Sequence, residues 1–230
     1  MPDKSGNTMS EKDLELRKEM IATCLRLQEL GYVIGTYGNV SVRVERGLLI
    51  TPSRVDYHNL APGDLVTVSL EGAVVEGTRL PSSELQVHLQ IYCRRPDVGA
   101  VIHTHPLYAT ALSCLHRTIP VFVEEQSQVI GGPICCTEYI PAGQHKQLGE
   151  QVAQVLGESA AVLLANHGAV GCGKNVAEAM FTCQIVERVA QMYFLTSSAG
   201  HAILIPPEHV AGERERWLFK YGRPEDRAAE

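Results

Sequence analysis

Four short β-like segments follow one another between residues 41 and 76, and their spacing is the strongest constraint on the fold. They cover residues 41–44, 48–51, 65–69 and 73–76. The connections between them are too short to contain the crossover helix that parallel strands require. We therefore predict antiparallel pairing in this part of the chain.

Helical patterns flank these segments on both sides. An N-capping box at 10–13 and apolar residues at helical spacing predict a first helix that ends at Gly31. Beyond residue 81 the pattern alternates between helix and strand, which is typical of a sheet with helices packed on its faces. The predicted helices cover 82–94, 106–115, 143–156, 176–195 and 208–219, and the predicted strands cover 99–103 and 160–165.

Composition limits the kind of protein this can be. A chain of 230 residues with 45% hydrophobic content is long enough for one large domain, which we place at 10–222 between a flexible N-terminus (1–9) and a tail (223–230). The net charge of -6 gives no electrostatic reason to expect nucleic acid as a partner. No apolar stretch approaches the roughly 20 residues of a membrane span, and the first ten residues lack the apolar centre of a signal peptide. We expect a cytoplasmic protein without membrane or nucleic-acid partners.

The cysteines favour neither disulfides nor thiolate metal sites. Their number, seven, is odd, they are scattered along the chain, and no C-x-x-C spacing occurs. Free thiols, mostly buried, are the expected state.

The histidines are more informative. His103 and His105 close a predicted strand. Side chains two residues apart in a strand lie on one face, and their Cα atoms are about 6 to 7 Å apart. His167 follows a second apolar strand, and Glu84 lies near the start of a predicted helix. His88, one turn beyond Glu84, is either a group that supports this site or an ordinary histidine on the helix surface.

Each of these residues also has a purely structural interpretation. A His-x-His at a strand end is more often an ordinary polar edge, and Glu84 could simply cap its helix. Taken together, three imidazoles and one carboxylate suit zinc or a similar cation, with positions left open for substrate. Such an ion polarises a carbonyl, and the carboxylate can move a proton.

A glycine-rich turn at 35–41 is a second candidate feature. Its backbone N–H groups could hold an anion, and hydroxyl groups at 51–53 and 82–83 could add donors, the latter at a helix start. The turn is neither a Walker sequence nor a dinucleotide-binding fingerprint. Turn formation and helix capping explain each feature equally well when it is considered alone.

Five short stretches occur in an order and spacing that resemble a known family. They are GTYGNVSVR at 35–43, LITPS at 49–53, LPSSE at 80–84, AVIHTH at 100–105 and NHGA at 166–169. The whole set resembles the class II aldolase/adducin family, most closely its L-fuculose-phosphate aldolase branch, over about residues 14–222. The resemblance implies an α/β fold with three layers, α/β/α, around a largely antiparallel sheet. It also implies a homotetramer with active sites at subunit boundaries.

The resemblance assigns roles to individual residues. It makes His103, His105 and His167 the zinc ligands, with Mn²⁺ or Co²⁺ as other possible ions, and Glu84 the acid/base that also ligates the resting metal. The substrate phosphate would be held by Asn39, Ser53, Ser82 and Ser83. Tyr221, in a C-terminal FKYG stretch, matches a tyrosine that reaches an active site and helps to protonate or position the aldehyde fragment.

Three departures from the family pattern concern the substrate. Arg54 stands where the family has a glycine, so that a guanidinium contact could replace a backbone contact to phosphate. Glu124 and Glu125 place carboxylates near the expected aldehyde side, and the stretch 139–143 (YIPAG) lacks an aromatic residue that the fuculose branch has. The aldehyde pocket is therefore expected to differ from one shaped for fuculose.

The leading hypothesis is a zinc-dependent aldolase that reversibly cleaves a ketose 1-phosphate into dihydroxyacetone phosphate and an aldehyde. The resemblance leaves three related reactions open, namely those of a pentulose-phosphate 4-epimerase, a methylthioribulose-phosphate dehydratase and a sugar-acid-phosphate decarboxylase. A catalytically silent, adducin-like assembly domain is a further alternative. The presence of all three histidines together with Glu84 argues against it.

Overall fold

The structure is a computed structural model that describes residues 9–221. One eight-stranded sheet forms its centre, in the order β4-β3-β2-β1-β5-β8-β7-β6. Every neighbouring pair is antiparallel except β6 and β7. The strands are β1 (Asn39–Val44), β2 (Gly47–Ile50), β3 (Val66–Val68), β4 (Val74–Glu76), β5 (Ala100–Thr104), β6 (Cys135–Cys136), β7 (Ala161–Leu164) and β8 (Gly168–Gly173).

Six α-helices between residues 9 and 221 surround the sheet. They are α1 (Glu11–Glu29), α2 (Leu85–Arg94), α3 (Leu107–Ser113), α4 (His145–Leu156), α5 (Val176–Ala199) and α6 (Pro207–Phe219). The first helix begins as predicted, because the Ser10 hydroxyl accepts a hydrogen bond from the Asp13 N–H. A short π-helical segment, Gln126–Ile130, packs against α5 and α6.

The core lies on both faces of the sheet, and successive residues of a strand contribute to opposite faces. In β5, Val101 belongs to the core cluster formed with α2 and α4, whereas its neighbour Ile102 belongs to the cluster formed with α1 and α5. A third cluster joins α3 and α5 to β7. The predicted α/β fold, with three layers and a largely antiparallel sheet, is confirmed.

Strand β8 was not predicted, because three of its six residues are glycines. A Cβ atom at Gly171 would lie 2.7 Å from the Cys183 sulfur, and one at Gly173 would lie 2.3 Å from the Ala179 nitrogen. The glycines therefore allow α5 to approach the strand closely. A pattern that usually indicates a turn is here a requirement of helix packing.

The boundaries of α2 correct one further expectation. The predicted helix begins at residue 82, but α2 begins at Leu85 and Glu84 precedes it as the N-cap residue. Residues 1–8 and 222–230 lie outside the described part of the chain, so the predicted flexible N-terminus, tail and exact domain limits stay predictions. Between residues 9 and 221, no helix has the length and apolar character needed to span a bilayer.

Candidate metal centre and active site

The topology brings the three candidate histidines together at one end of the central strands. His103 is the fourth residue of β5, and His105 follows that strand. His167 lies in the tight turn between β7 and β8, where its N–H donates to the Leu164 carbonyl. Because β8 is antiparallel to β5, with Ala169 opposite Thr104, this turn lies beside the end of β5. Sites at strand ends depend on this kind of arrangement.

The three rings form a tight cluster. Their centroids lie 4.7 Å apart for the two pairs that include His103, and 4.8 Å apart for His105 and His167. One ring nitrogen from each residue lies within 4.8 Å of the others. His103 is 1% exposed, whereas His105 and His167 are partly exposed, so the cluster is open on one side.

The Glu84 carboxylate lies against two rings of the cluster. Its Oε2 lies 3.2 Å from His103 Nε2, and its Oε1 lies 3.2 Å from His167 Nε2. The carboxylate is held there by the Asn39 side-chain amide, whose Nδ2 donates to Oε2 over 2.8 Å. Asn39 is in turn placed by the sheet, because it lies directly opposite His103 in the β1–β5 pair.

Two loops bring Glu84 to this end of the sheet. Pro52 and Pro81 form an isolated antiparallel bridge, and the Ser82 N–H donates to the Thr51 carbonyl. The Thr51 hydroxyl accepts the N–H of Val40, which ties the first loop to β1. The loop ahead of α2 is therefore fixed to the strand that carries Asn39.

The hydrogen bonds define which ring nitrogens are free to bind an ion. His103 Nδ1 lies 3.0 Å from the Ala169 carbonyl, which can only accept, so Nδ1 carries the proton in the neutral ring. His103 Nε2 then presents a lone pair, and it faces both the Glu84 carboxylate and His105 Nε2, the latter at 2.9 Å.

Burial favours the neutral form of the His103 and His105 rings. It lowers the pKa of His105 to about 3, assisted by the neighbouring His103 and His167. Burial also lowers the pKa of His103, although Glu84 opposes that change. For Glu84 itself, burial would raise the pKa, but His103, His167 and the Asn39 amide overcome burial and hold it far below its usual range.

This donor set fits a divalent cation. A carboxylate oxygen and three imidazole nitrogens, each able to offer a lone pair to a cation, converge on one small space. Three imidazoles with one carboxylate match the preferences of zinc and related ions. The three histidines are thus able to hold a metal ion, with the Glu84 carboxylate directly beside them.

The predicted phosphate-binding residues surround the same end of the sheet. Ser53 and Ser82 belong to the two bridged loops; the Ser82 hydroxyl accepts the Glu84 N–H, and the Ser53 N–H donates to Leu80. Ser83 is exposed. Arg54 is also exposed, with a left-handed backbone (φ 58°), which is uncommon for a residue other than glycine.

The glycine-rich turn packs directly against this end of β5. Gly38 has φ 93°, and a Cβ atom there would lie 2.9 Å from the His103 carbonyl oxygen. Glycine is required at this position because the backbone is left-handed and there is no room for a Cβ atom beside β5. The exposed Tyr37 ring lies 5.6 Å from the His105 ring, a neighbour of the cluster that sequence reasoning did not identify.

The remaining predicted residues lie elsewhere on the chain. The Tyr221 ring lies 4.9 Å from the Trp217 ring, and Tyr221 lines a cavity of about 400 Å³ that is also lined by Val98. Val98 lies just before β5, at the end of that strand away from His103. Glu125 pairs with Arg188 at 3.3 Å. Glu124 lines a separate cavity beside α6. Within one described chain, these groups do not join the histidine cluster.

His88 proved more than a surface histidine. It is fully buried and hydrogen-bonded to both Asn39 and Ser41. Its spacing from Glu84 hinted at a supporting role, but its partners come from β1, which no local pattern in α2 can reveal. Ser41 and Tyr92 were missed for the same reason.

The fold and this site together define a protein of the class II aldolase type. The family model described as "Class II Aldolase and Adducin N-terminal domain" matches residues 18–194. The chain belongs to this family, and the family membership predicted from its motifs is confirmed.

Individual relatives narrow the comparison. The chain is 41% identical over 187 residues to an L-fuculose phosphate aldolase of Haemophilus influenzae, covering 81% of this chain and 85% of that protein. It is 36% identical over 208 residues to a 5-methylthioribulose-1-phosphate/5-deoxyribulose-1-phosphate aldolase of Rhodospirillum rubrum, covering 90% and 91%. A solved L-fuculose 1-phosphate aldolase superposes with a TM-score of 0.87 at 34% identity, over 93% of this chain and 100% of that one.

Proposed function

We propose that this protein is a zinc-dependent aldolase that reversibly cleaves a ketose 1-phosphate into dihydroxyacetone phosphate and an aldehyde. The convergence of His103, His105 and His167 with Glu84 is the observation that carries the proposal. Family membership supports it, since the relatives reported above are named aldolases of sugar phosphates.

In this proposal the three imidazoles and Glu84 hold the metal. A cation at this position would supply Lewis-acid polarisation of a substrate carbonyl. Zinc suits the imidazole-rich donor set, and Mn²⁺ or Co²⁺ would be tolerated by the same ligands.

Glu84 is the proton-transfer group of the proposed reaction. Its low pKa keeps it ionised at neutral pH, and its two oxygens already face the space between His103 and His167. It takes the proton from the carbon that becomes nucleophilic in synthesis and returns it in cleavage. Asn39 orients the carboxylate throughout by donating to Oε2.

The substrate phosphate is proposed to bind at the bridged loops. Ser53, Ser82, Ser83 and the glycine-rich turn surround this end of the sheet, and Asn39 Nδ2 carries a second hydrogen beyond the one given to Glu84. The exposed Arg54 guanidinium adds a positive charge where the family has a glycine. Binding energy from the distant phosphate would orient the reacting carbons.

Tyr221 fits the proposal through a second subunit. It cannot serve the cluster of its own chain, because it lies near the opposite end of β5. In a homotetramer with sites at subunit boundaries, it would reach the site of a neighbour. Several large apolar side chains are exposed and would be covered by such an assembly; they include Ile34, Leu107, Ile203 and Phe219.

The aldehyde fragment is the least defined part of the substrate. The proteins named for L-fuculose 1-phosphate and for 5-deoxyribulose-1-phosphate share a ketose 1-phosphate but differ in the rest of the sugar. We therefore propose the ketose 1-phosphate class of substrate, in a cytoplasmic enzyme. Glu124 and Glu125 would shape the aldehyde pocket only from a neighbouring subunit, because they do not join the histidine cluster of their own chain.

Metal removal and replacement tests the proposal. The purified protein is stripped with a chelator, reloaded with Zn²⁺, Mn²⁺ or Co²⁺, and incubated with dihydroxyacetone phosphate and a panel of aldehydes, and the adducts are identified. We expect carbon–carbon bond formation only in the loaded protein. Undiminished activity of the stripped protein would refute the metal mechanism. Epimerised, dehydrated or decarboxylated products from ketose phosphates and sugar-acid phosphates would instead select one of the related reactions.

A further inference from the structure

A continuous chain of buried hydrogen bonds leads from the sheet interior to Glu84. Tyr92 Oη lies 2.8 Å from Ser41 Oγ, and Ser41 Oγ lies 2.6 Å from His88 Nδ1. His88 Nε2 lies 2.5 Å from Asn39 Oδ1, and Asn39 Nδ2 lies 2.8 Å from Glu84 Oε2. Tyr92, Ser41, His88 and Asn39 are each at most 3% exposed.

The donors and acceptors of these hydrogen bonds can be assigned in only one consistent way. The Glu84 carboxylate accepts, so the Asn39 amide must turn its nitrogen toward Glu84 and its oxygen toward His88. An amide oxygen can only accept, and therefore His88 Nε2 must carry a hydrogen.

The donors and acceptors in the hydrogen bonds of His88, Ser41 and Tyr92 follow in the same way. Burial lowers the pKa of His88 to about 3, so the ring is neutral, and Nδ1 must accept because the proton is on Nε2. The Ser41 hydroxyl donates its only hydrogen to Nδ1, which leaves its oxygen to accept from the Tyr92 hydroxyl. Every member is satisfied, and each points its donor toward the next.

We propose that His88 is a positioning residue that fixes the orientation of the Asn39 amide, so that both hydrogens of that amide face the active site. Reversing the amide would place its oxygen against the Glu84 carboxylate and its nitrogen against the His88 N–H. Both contacts would be repulsive. His88 thereby determines the contact that orients Glu84. If the proposed function is correct, His88 also keeps the second N–H of Asn39 available to the substrate phosphate, and this part of the inference rests on that function.

The tautomer of His88 gives a test that does not depend on catalysis. In ¹⁵N-histidine-labelled protein, measured with and without zinc, we expect His88 to show a protonated Nε2 and an unprotonated Nδ1 that do not change between pH 5.5 and 8.5. A protonated Nδ1, or a charged ring in this range, would overturn the proposal whatever reaction the enzyme catalyses.

Two substitutions separate positioning from packing. His88→Phe keeps a planar ring but cannot donate to Asn39, whereas His88→Gln keeps one donor and one acceptor. Partners of this kind typically contribute 10- to 100-fold to metal affinity or activity. We therefore expect His88→Phe to weaken Zn²⁺ binding or lower kcat by about that factor. His88→Gln should recover most of the loss.

Thr182→Val is the matched control. It removes another buried hydrogen bond, from the Thr182 hydroxyl to the Cys172 carbonyl, on the α5 side of the sheet. We expect it to lower thermal stability without changing Zn²⁺ affinity or kcat.

A double substitution tests whether His88 acts through Asn39. If it does, adding His88→Phe to Asn39→Ala should cause little further loss of Zn²⁺ affinity or kcat. Wild-type Zn²⁺ affinity and kcat in His88→Phe, or equal losses in His88→Phe and His88→Gln, would refute the positioning role. Should the wild-type protein cleave no ketose phosphate, the aldolase proposal fails, while the tautomer and the Zn²⁺ affinities still decide the role of His88.

Discussion

Asn39 and Glu84 are joined by a 2.8 Å hydrogen bond although they belong to separate parts of the chain, one opening β1 and the other preceding α2. The carboxylate therefore has a fixed orientation in which each of its oxygens faces a different histidine. A group that must hold a metal and also move a proton needs this kind of restraint.

Glu84→Gln is expected to abolish most of the catalytic activity. The amide has nearly the same shape but cannot accept a proton at neutral pH, and general acid–base catalysis typically contributes 10²- to 10⁴-fold. We predict a loss of kcat of about that size in steady-state assays. Glu158→Gln, an exposed glutamate in the α4–β7 connection, is the matched control and should behave as wild type. Comparable kcat values for the two variants would contradict the assignment of Glu84.

Gly168→Ala is expected to damage both stability and metal binding. An added Cβ atom would lie 2.3 Å from the Thr104 carbonyl oxygen and 3.3 Å from the His105 ring, so β8 must move away from β5. Forced overpacking of this kind costs about 1–3 kcal/mol. Denaturant unfolding and zinc titration should show reduced unfolding free energy and weaker binding.

Gly212→Ala provides the control for that substitution. Gly212 lies inside α6, and a Cβ atom there would meet nothing within 4 Å. Because alanine favours the helix over glycine, we expect it to raise the unfolding free energy by about 0.5–1 kcal/mol. An equal stability change in the two variants would show that the clash at β8 relaxes without cost.

Substitution of Arg17 is expected to destabilise the fold strongly. Its side chain is 3% exposed, and it donates to the Pro62 and Leu65 carbonyls and to the carboxylates of Asp13 and Glu76. Removing the guanidinium leaves two carbonyls without their donor. We therefore predict that Arg17→Ala lowers the unfolding free energy by about 2–4 kcal/mol.

Arg26→Ala is the comparison for Arg17 on the same helix. Its ion pair with Glu29 is more than half exposed on both sides, and surface pairs of this kind contribute about 0–1 kcal/mol. Chemical denaturation should separate the two variants clearly. If Arg17→Ala were no more destabilising than Arg26→Ala, the buried network would not contribute as we argue.

Sequence reasoning predicted the helices, most of the strands and the metal-binding candidates, because these depend on local patterns. The His-x-His spacing in β5 directly predicts two rings on one face, and the apolar periodicity of α5 is unambiguous. It failed where a residue's role depends on a distant partner. Gly171 is explained only by Cys183 of α5, and His88 only by Asn39 and Ser41 of β1.

Thiol reactivity gives a pH-dependent prediction. Burial raises the pKa of Cys172 and of Cys183 to about 12, and raises that of Cys24 further still. At pH 8 only roughly one in ten thousand of the Cys172 or Cys183 thiols is ionised, whereas the thiolate is the reactive form. Cys93 and Cys114 are exposed. A thiol reagent at pH 8 should label those two first and the three buried thiols only as the chain unfolds.

The same shifts set the sign of the alkaline stability change. The folded-state pKa of these thiols lies above the value of about 8.5 expected in the unfolded chain. Their contribution to stability is therefore complete below pH ~8.5 and is lost as the pH rises toward 12, because the unfolded state releases protons first. Denaturant unfolding at pH 7.5, 9 and 10.5 should show a progressively smaller unfolding free energy. In Cys172→Ala and Cys183→Ala this decrease should be shallower, and an unchanged slope in both would contradict the assignment.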